Sequence, residues 1–260
     1  MALIGYCIVD TTQTALKSIA GIEGKTPETV AYEDIAMVVS EVEASARALK
    51  NQVQQNGQAS RNGDHGEADL QHPALRYDAV ISAHMEDDTV LPLRFPTMLE
   101  DEASVKSILR SHYDTFRDQL NDLQGRVEYG IKIMWDGDGR REEIIRDAKK
   151  NSYVDHAVLS GKSFLQKRFA LYKRDQQFRN EGLTLVEDIH TYILDLVEDL
   201  NYQTLLSNNY LLNGSYLLPR SGLDTFKLRT EQMEHDYPEL KFIFSGPWAP
   251  FHFTELELNV

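Results

Sequence analysis

Apolar positions along this chain change period several times, and each change predicts an element. Leu3–Val9 is a short continuous apolar run, the pattern of a buried strand. After turn-forming residues at Gly21–Pro27, Val30–Val39 supplies a second apolar segment through Val30, Tyr32, Ile35, Met37, Val38 and Val39. Glu41–Gln55 turns helical and then loses its pattern. Asn56–Pro73 holds almost nothing that a core accepts, and reads as a mobile surface loop. Helical spacing returns in Ala74–Asp88. Thr89–Thr97, T-V-L-P-L-R-F-P-T, is apolar but carries two prolines, which cannot donate to a ladder, so it reads as an edge strand or an irregular extended crossing. Glu100–Leu123 predicts one amphipathic helix, with Val105, Ile108, Leu109, Tyr113, Phe116, Leu120 and Leu123 on one side and Gly125 just past its end.

The second half opens on a strict alternation, Val127–Trp135, in which Val127, Tyr129, Ile131, Ile133 and Trp135 face one side and Glu128, Gly130, Lys132 and Met134 the other. Asp136–Ser152 is polar and reads as a connection with at most a short helix. Ser160–Tyr202 is mostly helical, its apolar stripes divided at Gly182; unbroken, it is on the order of 60 Å long. Tyr202–Asn208 and Tyr210–Pro219 read as strands, Leu223–Tyr237 as a helix ended by Pro238, and Leu240–Phe244 as a last strand. From Val127 onward the succession is βαββαβ, the ferredoxin-like pattern of a four-stranded antiparallel sheet covered on one face by two helices. The expected class is α+β: an N-terminal α+β domain at 1–125, a ferredoxin-like domain with a long helix at 126–245, and an extended tail at 246–260.

That tail is a different kind of object. Pro247 and Pro250 hold their own φ and push the preceding residues to extended geometry, so Trp248, Phe251 and Phe253 sit on stiff, non-helical backbone. Such aromatics either fold back as an internal staple, the preferred expectation, or offer a partner a preorganised apolar grip.

Composition narrows the function. A chain of 260 residues is long enough for two cores. The net charge of −14 argues against a nucleic-acid partner and against binding a lipid membrane surface. The acidic excess is concentrated early, with 10 Lys/Arg against 20 Asp/Glu in the first 125 residues and 17 against 21 in the rest. A lone cysteine, Cys7, permits no internal disulfide, fits a reducing cytoplasm, and sits where a buried strand residue is expected rather than a nucleophile. Neither a signal peptide nor a stretch long enough to span a membrane is read from the sequence.

Candidate chemistry is sparse. D-G-D-G at 136–139 lacks the spaced ligands and closing glutamate of a calcium loop. His65 and His72 are scattered in the polar linker, and His84 with Glu86, Asp87 and Asp88 reads as a solvated acidic helix end. His190, among apolar neighbours, reads as a satisfied core histidine. Arg94 is expected to pair with an acid such as those of Glu86–Asp88, with a ligand-binding role as the other reading. No glycine loop, nucleophile elbow or metal-ligand spacing is present in the sequence, so no catalytic, metal or cofactor site is expected and the protein is not read as an enzyme.

Three separated segments carry a resemblance. T-V-L-P-L-R-F-P-T at 89–97, V-E-Y-G-I-K-I-M-W at 127–135 and F-S-G-P-W-A-P-F-H-F at 244–253 are together similar to the gas vesicle accessory family GvpF/GvpL, supported by V-S-E-V at 39–42 and L-L-N-G-S-Y-L-L at 211–218. The resemblance covers about Leu3 to Phe253. It implies a cytoplasmic, vesicle-associated accessory or minor structural protein that works with the small hydrophobic shell protein GvpA, and with other accessory proteins, during assembly. It also implies an N-terminal α+β domain, a ferredoxin-like C-terminal domain and no catalysis. Arg94, Phe95, Trp248, Phe251 and Phe253 are then the candidates for an interface or a domain staple. The other reading is a small-molecule-binding regulatory module on a ferredoxin-like fold; a hydrolase built on the His84–Asp88 cluster ranks last.

Overall fold

In the computed structural model of the chain, which describes residues 2–11, 17, 19–45, 47–49, 51, 72–151 and 161–256, two four-stranded antiparallel sheets carry the fold. The first contains β1 (Ala2–Asp10), β2 (Glu28–Tyr32), β3 (Ile35–Val42) and β4 (Val90–Leu99) in the order β2-β3-β1-β4, with helix α1 (Pro73–Met85) leading into β4. Helices α2 (Glu102–Ser111) and α3 (Tyr113–Asp122) follow. The second contains β5 (Arg126–Met134), β6 (Asp199–Thr204), β7 (Tyr210–Pro219) and β8 (Lys241–Trp248) in the order β6-β7-β5-β8. Between β5 and β6 lie α4 (Gly137–Asn151) and α5 (Gly161–His190), and between β7 and β8 lies α6 (Leu223–Asp236). Counted within each half, both sheets have the order 2-3-1-4, which is that of the ferredoxin-like pattern. The second half therefore has the expected split topology, with two helices rather than one in its first crossover.

By contacts the chain forms two compact units, Met1–Glu128 with Pro247–Val260, and Tyr129–Gly246. The core of the first is built from both faces of β1 and β3: Ile4, Tyr6, Cys7, Ile8, Ile35, Met37 and Val38 are buried, with Val80 and Ile81 from α1 and Val105 and Leu109 from α2. The second packs Ile131, Ile133, Leu212, Tyr216 and Leu218 against Phe178, Val186 and Ile189 of α5 and Phe226 and Met233 of α6.

Several elements differ from the sequence reading, each for a local reason. Val30–Val39 is not one segment but a hairpin: Tyr32 pairs with Ile35, and the chain turns at Glu33, whose φ of 52° lies in the left-handed region that two-residue hairpin turns need. The helix expected over Glu100–Leu123 breaks at His112 (φ −119°, ψ 17°), where the Ser111 hydroxyl donates to the Ile108 carbonyl at 3.1 Å and lies 2.8 Å from His112 Nδ1. The stretch from Asp136 is a true helix, α4, started by the Asp136 carboxylate accepting from the Gly139 N–H at 2.9 Å. Its attachment is largely polar, Arg140 bonding Glu181 at 2.8 Å and Arg141 lying 4.1 Å from the Phe178 ring, with Ile144 as a buried apolar anchor, so it shows no apolar stripe in sequence. Helix α5 runs unbroken through Gly182 for 30 residues, about 45 Å, and ends at His190; residues 199–204, taken as helix and strand around Tyr202, are β6. Gly182 is there for closeness rather than for a break, since a Cβ would run into Leu206 and come within 3.1 Å of Trp135. Of the polar stretch Asn56–Pro73, residues 56–71 and with them His65 lie outside the described residues; of the helical reading of Glu41–Gln55, Glu41 and Val42 instead close β3, 47–49 and 51 are helical, and 46, 50 and 52–55 lie outside the described residues.

Candidate functional site

Strand β1 carries one extra residue at Tyr6: Gly5 pairs with Val39 and Cys7 with Val38. On the other side the same two residues pair with Thr97 and Pro92, so Leu93–Arg94–Phe95–Pro96 leaves the ladder as a bulge on an edge strand. Two tyrosines hold this place. The Tyr77 hydroxyl, from α1, donates to the Gly5 carbonyl at 2.6 Å and lies 3.1 Å from the Leu93 carbonyl, satisfying backbone groups that the bulge has removed from the sheet. Tyr6 stacks on it at 5.0 Å, shares a 2.7 Å hydrogen bond with Ser40 and accepts from the Ile22 N–H at 2.9 Å. Gly5 lets the side chains of Leu93, Met37 and Leu99 close in here, since a Cβ would meet their ends at 2.9–3.2 Å and make them shift.

The bulge turns Arg94 to solvent and half-buries Phe95 edge-on against Tyr77, 5.1 Å away. Arg94 does not pair with Glu86–Asp88: it forms no ion pair among the described residues, and Asp87 is taken by Lys17. Cys7 is wholly buried on β1, and burial pushes its thiol far above the ordinary range, away from nucleophilic use.

The aromatic tail lies with the first unit. Ala249 and Pro250 are buried, Phe251 and Phe253 half-buried, and Trp248, at the end of β8, is 37% exposed. Among the described residues none of the three rings stacks on another aromatic; the tail is held by the burial of Ala249 and Pro250 together with hydrogen bonds. The buried Glu128 carboxylate accepts the His252 backbone N–H at 2.9 Å and its Nδ1–H at 2.6 Å. Gln119 then exchanges two bonds with the Glu255 backbone, at 3.0 and 3.1 Å. Glu128 and His252 were missed by the sequence reading: strict alternation assigns Glu128 to the polar side of β5, and only its burial reveals the pairing. A glutamate inside an apolar strand and a histidine between two tail phenylalanines were the available signals.

The polar clusters do not converge. His84 is buried, its Nδ1 donating to the Val80 carbonyl at 2.8 Å, while Glu86 and Asp87 face solvent. Among the described residues no three His, Cys, Asp or Glu groups are placed to hold a metal ion. His190 is buried against Tyr216, 2.8 Å away, and desolvation holds its pKa below the ordinary value.

In the second unit α4, α5 and the turn before β8 enclose an open cleft of about 870 Å³, with Trp135, Leu185 and Leu240 as apolar lining. Its cations are already engaged: Arg140 bonds Glu143 and Glu181, and Arg146 lies 3.6 Å from Glu143. The other large exposed feature is α5 itself, where Leu165, Phe169, Leu171 and Tyr172 all stand in solvent. No helix among the described residues is long and apolar enough to cross a membrane.

Comparison with known proteins agrees across the chain. Residues 2–255 match the model of the family "Gas vesicle synthesis protein GvpL/GvpF". Gas vesicle protein F1 of Halobacterium salinarum is 25% identical over 68% of this chain and 64% of its own length, so that match leaves about a third of the relative unspanned. Gas vesicle protein L1 of the same organism is 24% identical over 96% of this chain and 89% of its own. The fold is that of the crystal structure of GvpF from Anabaena sp. PCC7120, with a TM-score of 0.73 over 99% of this chain and 97% of that one at 16% identity. The edge-strand bulge, the β5 alternation and the tail that the Glu128–His252 bond secures thus lie within one continuous family match, and the chain belongs to the GvpL/GvpF family of gas vesicle synthesis proteins.

Proposed function

We propose that this protein is a non-catalytic, cytoplasmic accessory of gas vesicle assembly that binds the hydrophobic shell protein GvpA. The observation that carries the reading is membership of a gas vesicle synthesis family along nearly the whole chain. The physics of the task supports it. A shell subunit with one face destined for gas exposes apolar surface before it is placed, and such surface aggregates unless covered. An accessory that covers it needs exposed apolar docking groups and enough charge to stay dispersed. This chain has both, in the large side chains of α5, in Trp248 and in the Arg94–Phe95 bulge, with a net charge of −14. Arg94, Phe95, Trp248, Phe251 and Phe253 remain the proposed interface or staple residues.

Co-purification of the full chain from cells making gas vesicles tests this, at low and at high salt. Recovery of GvpA with the protein is the expected result. If no gas vesicle protein is recovered under either condition, the reading is wrong.

A second reading, a small-molecule-binding regulatory module, is favoured by the cleft of about 870 Å³ in the ferredoxin-like unit. Its arginines are neutralised by glutamates of the same cleft, which weakens it as an anion site. A metabolite that raises the melting temperature, with the gain lost in Trp135→Ala, would favour it over assembly.

A further inference from the structure

Helix α5 is apolar on two sides, and among the described residues only one is covered. Phe178, Gly182, Val186 and Ile189 face the sheet and are buried. About 100° away around the helix, Leu165, Phe169, Tyr172 and Leu183 line a second stripe, exposed by 69%, 60%, 60% and 43%. With Gln176 and Arg179 these positions are spaced 4, 3, 4, 3 and 4 residues apart, the period of a helix-pairing seam. Four large apolar groups in register along one helix face are not the scattered exposure that ordinary surfaces show.

The charges beside the seam select its occupant. Lys173 flanks it, lying 5.0 Å from the Phe169 ring, and Arg179 stands in it. The one acid at a flanking position, Asp175, is directed toward Arg141 at 3.8 Å. This is a basic seam on a chain whose net charge is −14. A second copy of the same seam would set like charges opposite one another. An anionic lipid surface would attract the seam but repel the rest of the chain. An amphipathic helix with acidic flanks satisfies both the apolar spacing and the charge.

We propose that the Leu165–Leu183 face of α5 docks an acid-flanked amphipathic helix of another protein of the gas vesicle system. The proposal rests on the assembly reading for the identity of that system, and on the seam alone for the chemistry of the partner. The full chain is made in vesicle-producing cells with p-benzoylphenylalanine in place of Phe169, irradiated, and the crosslinked peptide is mapped by mass spectrometry. The expected product joins residue 169 to one protein, in a helical segment whose apolar residues recur every three to four positions and whose flanks are rich in Asp and Glu. Reversing the charge in the same chain, as Lys173→Glu/Arg179→Glu, lowers the yield at least tenfold. A second variant, Leu165→Ser/Phe169→Ser/Tyr172→Ser, loses competition against the crosslinking chain by a similar factor. All these positions are solvent-facing, and unchanged circular dichroism checks that the variants fold.

Crosslinks to lipid, to a second copy or to a neutral or basic segment overturn the proposal. So does the absence of a crosslink, or a charge-reversed yield within twofold of the original. GvpA recovery is scored in the same cells. If GvpA co-purifies without a crosslink at 169, the seam is wrong and the assembly reading stands; if the acid-flanked helix belongs to no vesicle protein, the assembly reading falls instead.

Discussion

Replacing Tyr77 by Phe removes one oxygen from the first unit and tests how the edge bulge is held. That oxygen donates to the Gly5 carbonyl at 2.6 Å and sits 3.1 Å from the Leu93 carbonyl. Both acceptors lie where the β1–β4 register jumps from Gly5–Thr97 to Cys7–Pro92, so no ladder N–H stands ready to replace it. Tyr77 is 2% exposed, which keeps bulk water from filling the gap while the native packing holds. The aromatic ring and its contacts with Tyr6 and Phe95 stay in Phe, so the change isolates the hydroxyl. A buried acceptor left unsatisfied costs about 1–3 kcal/mol. Since one proton serves two acceptors here, the upper part of that range is expected. Urea denaturation followed by circular dichroism is the assay, with the midpoint lowered and the slope unchanged. Trypsin gives a local readout, because Arg94 is the exposed basic residue of the bulge and its cleavage should accelerate in proportion to local opening. A loss below about 0.5 kcal/mol with unchanged cleavage would refute the reasoning, because it would mean that the bulge carbonyls do not need the hydroxyl.

Three further outcomes are expected. Truncation after Ser245 removes the N–H groups that Glu128 accepts and the Gln119–Glu255 exchange, and should cost about 1–3 kcal/mol with a clear fall in melting temperature; unchanged melting would favour a docking tail. His190 has its pKa held below 6.5 by burial, so the unfolded chain takes up this proton first. Its contribution is complete above pH 6.5 and is lost as pH falls toward the folded value. The urea midpoint should therefore fall between pH 7.5 and 5.5 more steeply in the parent than in His190→Gln, and parallel curves would contradict it. Gly182→Val places two methyl groups toward Leu206 and Trp135 and should cost about 1–3 kcal/mol with helicity retained; a stabilised variant would show that helix propensity, not close packing, governs the site.

Much of the second half was legible because its signals are local. The alternation of β5 and the βαββαβ succession each need only neighbouring residues, and the strand order follows from them. What failed were features fixed by distant partners. Helix α4 gives no apolar period because Arg140 and Arg141 attach it through Glu181 and Phe178, some forty residues on. Whether α5 runs through Gly182 was not legible, because the reason for that glycine, the approach of Trp135 and Leu206, lies on other elements. Glu128 looked solvent-facing because its partner, His252, is at the far end of the chain. Arg94 was singled out as the one charge of its apolar segment, and the acid expected to pair with it was misassigned because Lys17 holds Asp87. The apolar stripes of α5 were legible as spacing, but periodicity registers an apolar face without saying what covers it.

The first unit is made of two pieces of chain, residues up to Glu128 and the segment from Pro247, with the whole second unit threaded between them. In the order of synthesis this makes the N-terminal unit the last to be finished. Glu128 leaves the ribosome long before His252 exists, by roughly ten seconds at ordinary elongation rates. During that interval a carboxylate destined for burial has no partner, and the surface that the tail will occupy is open. The second unit, contiguous in sequence, has no such wait and is free to fold first. Completion of the chain, rather than any property of its first 128 residues, sets the moment at which the N-terminal unit closes.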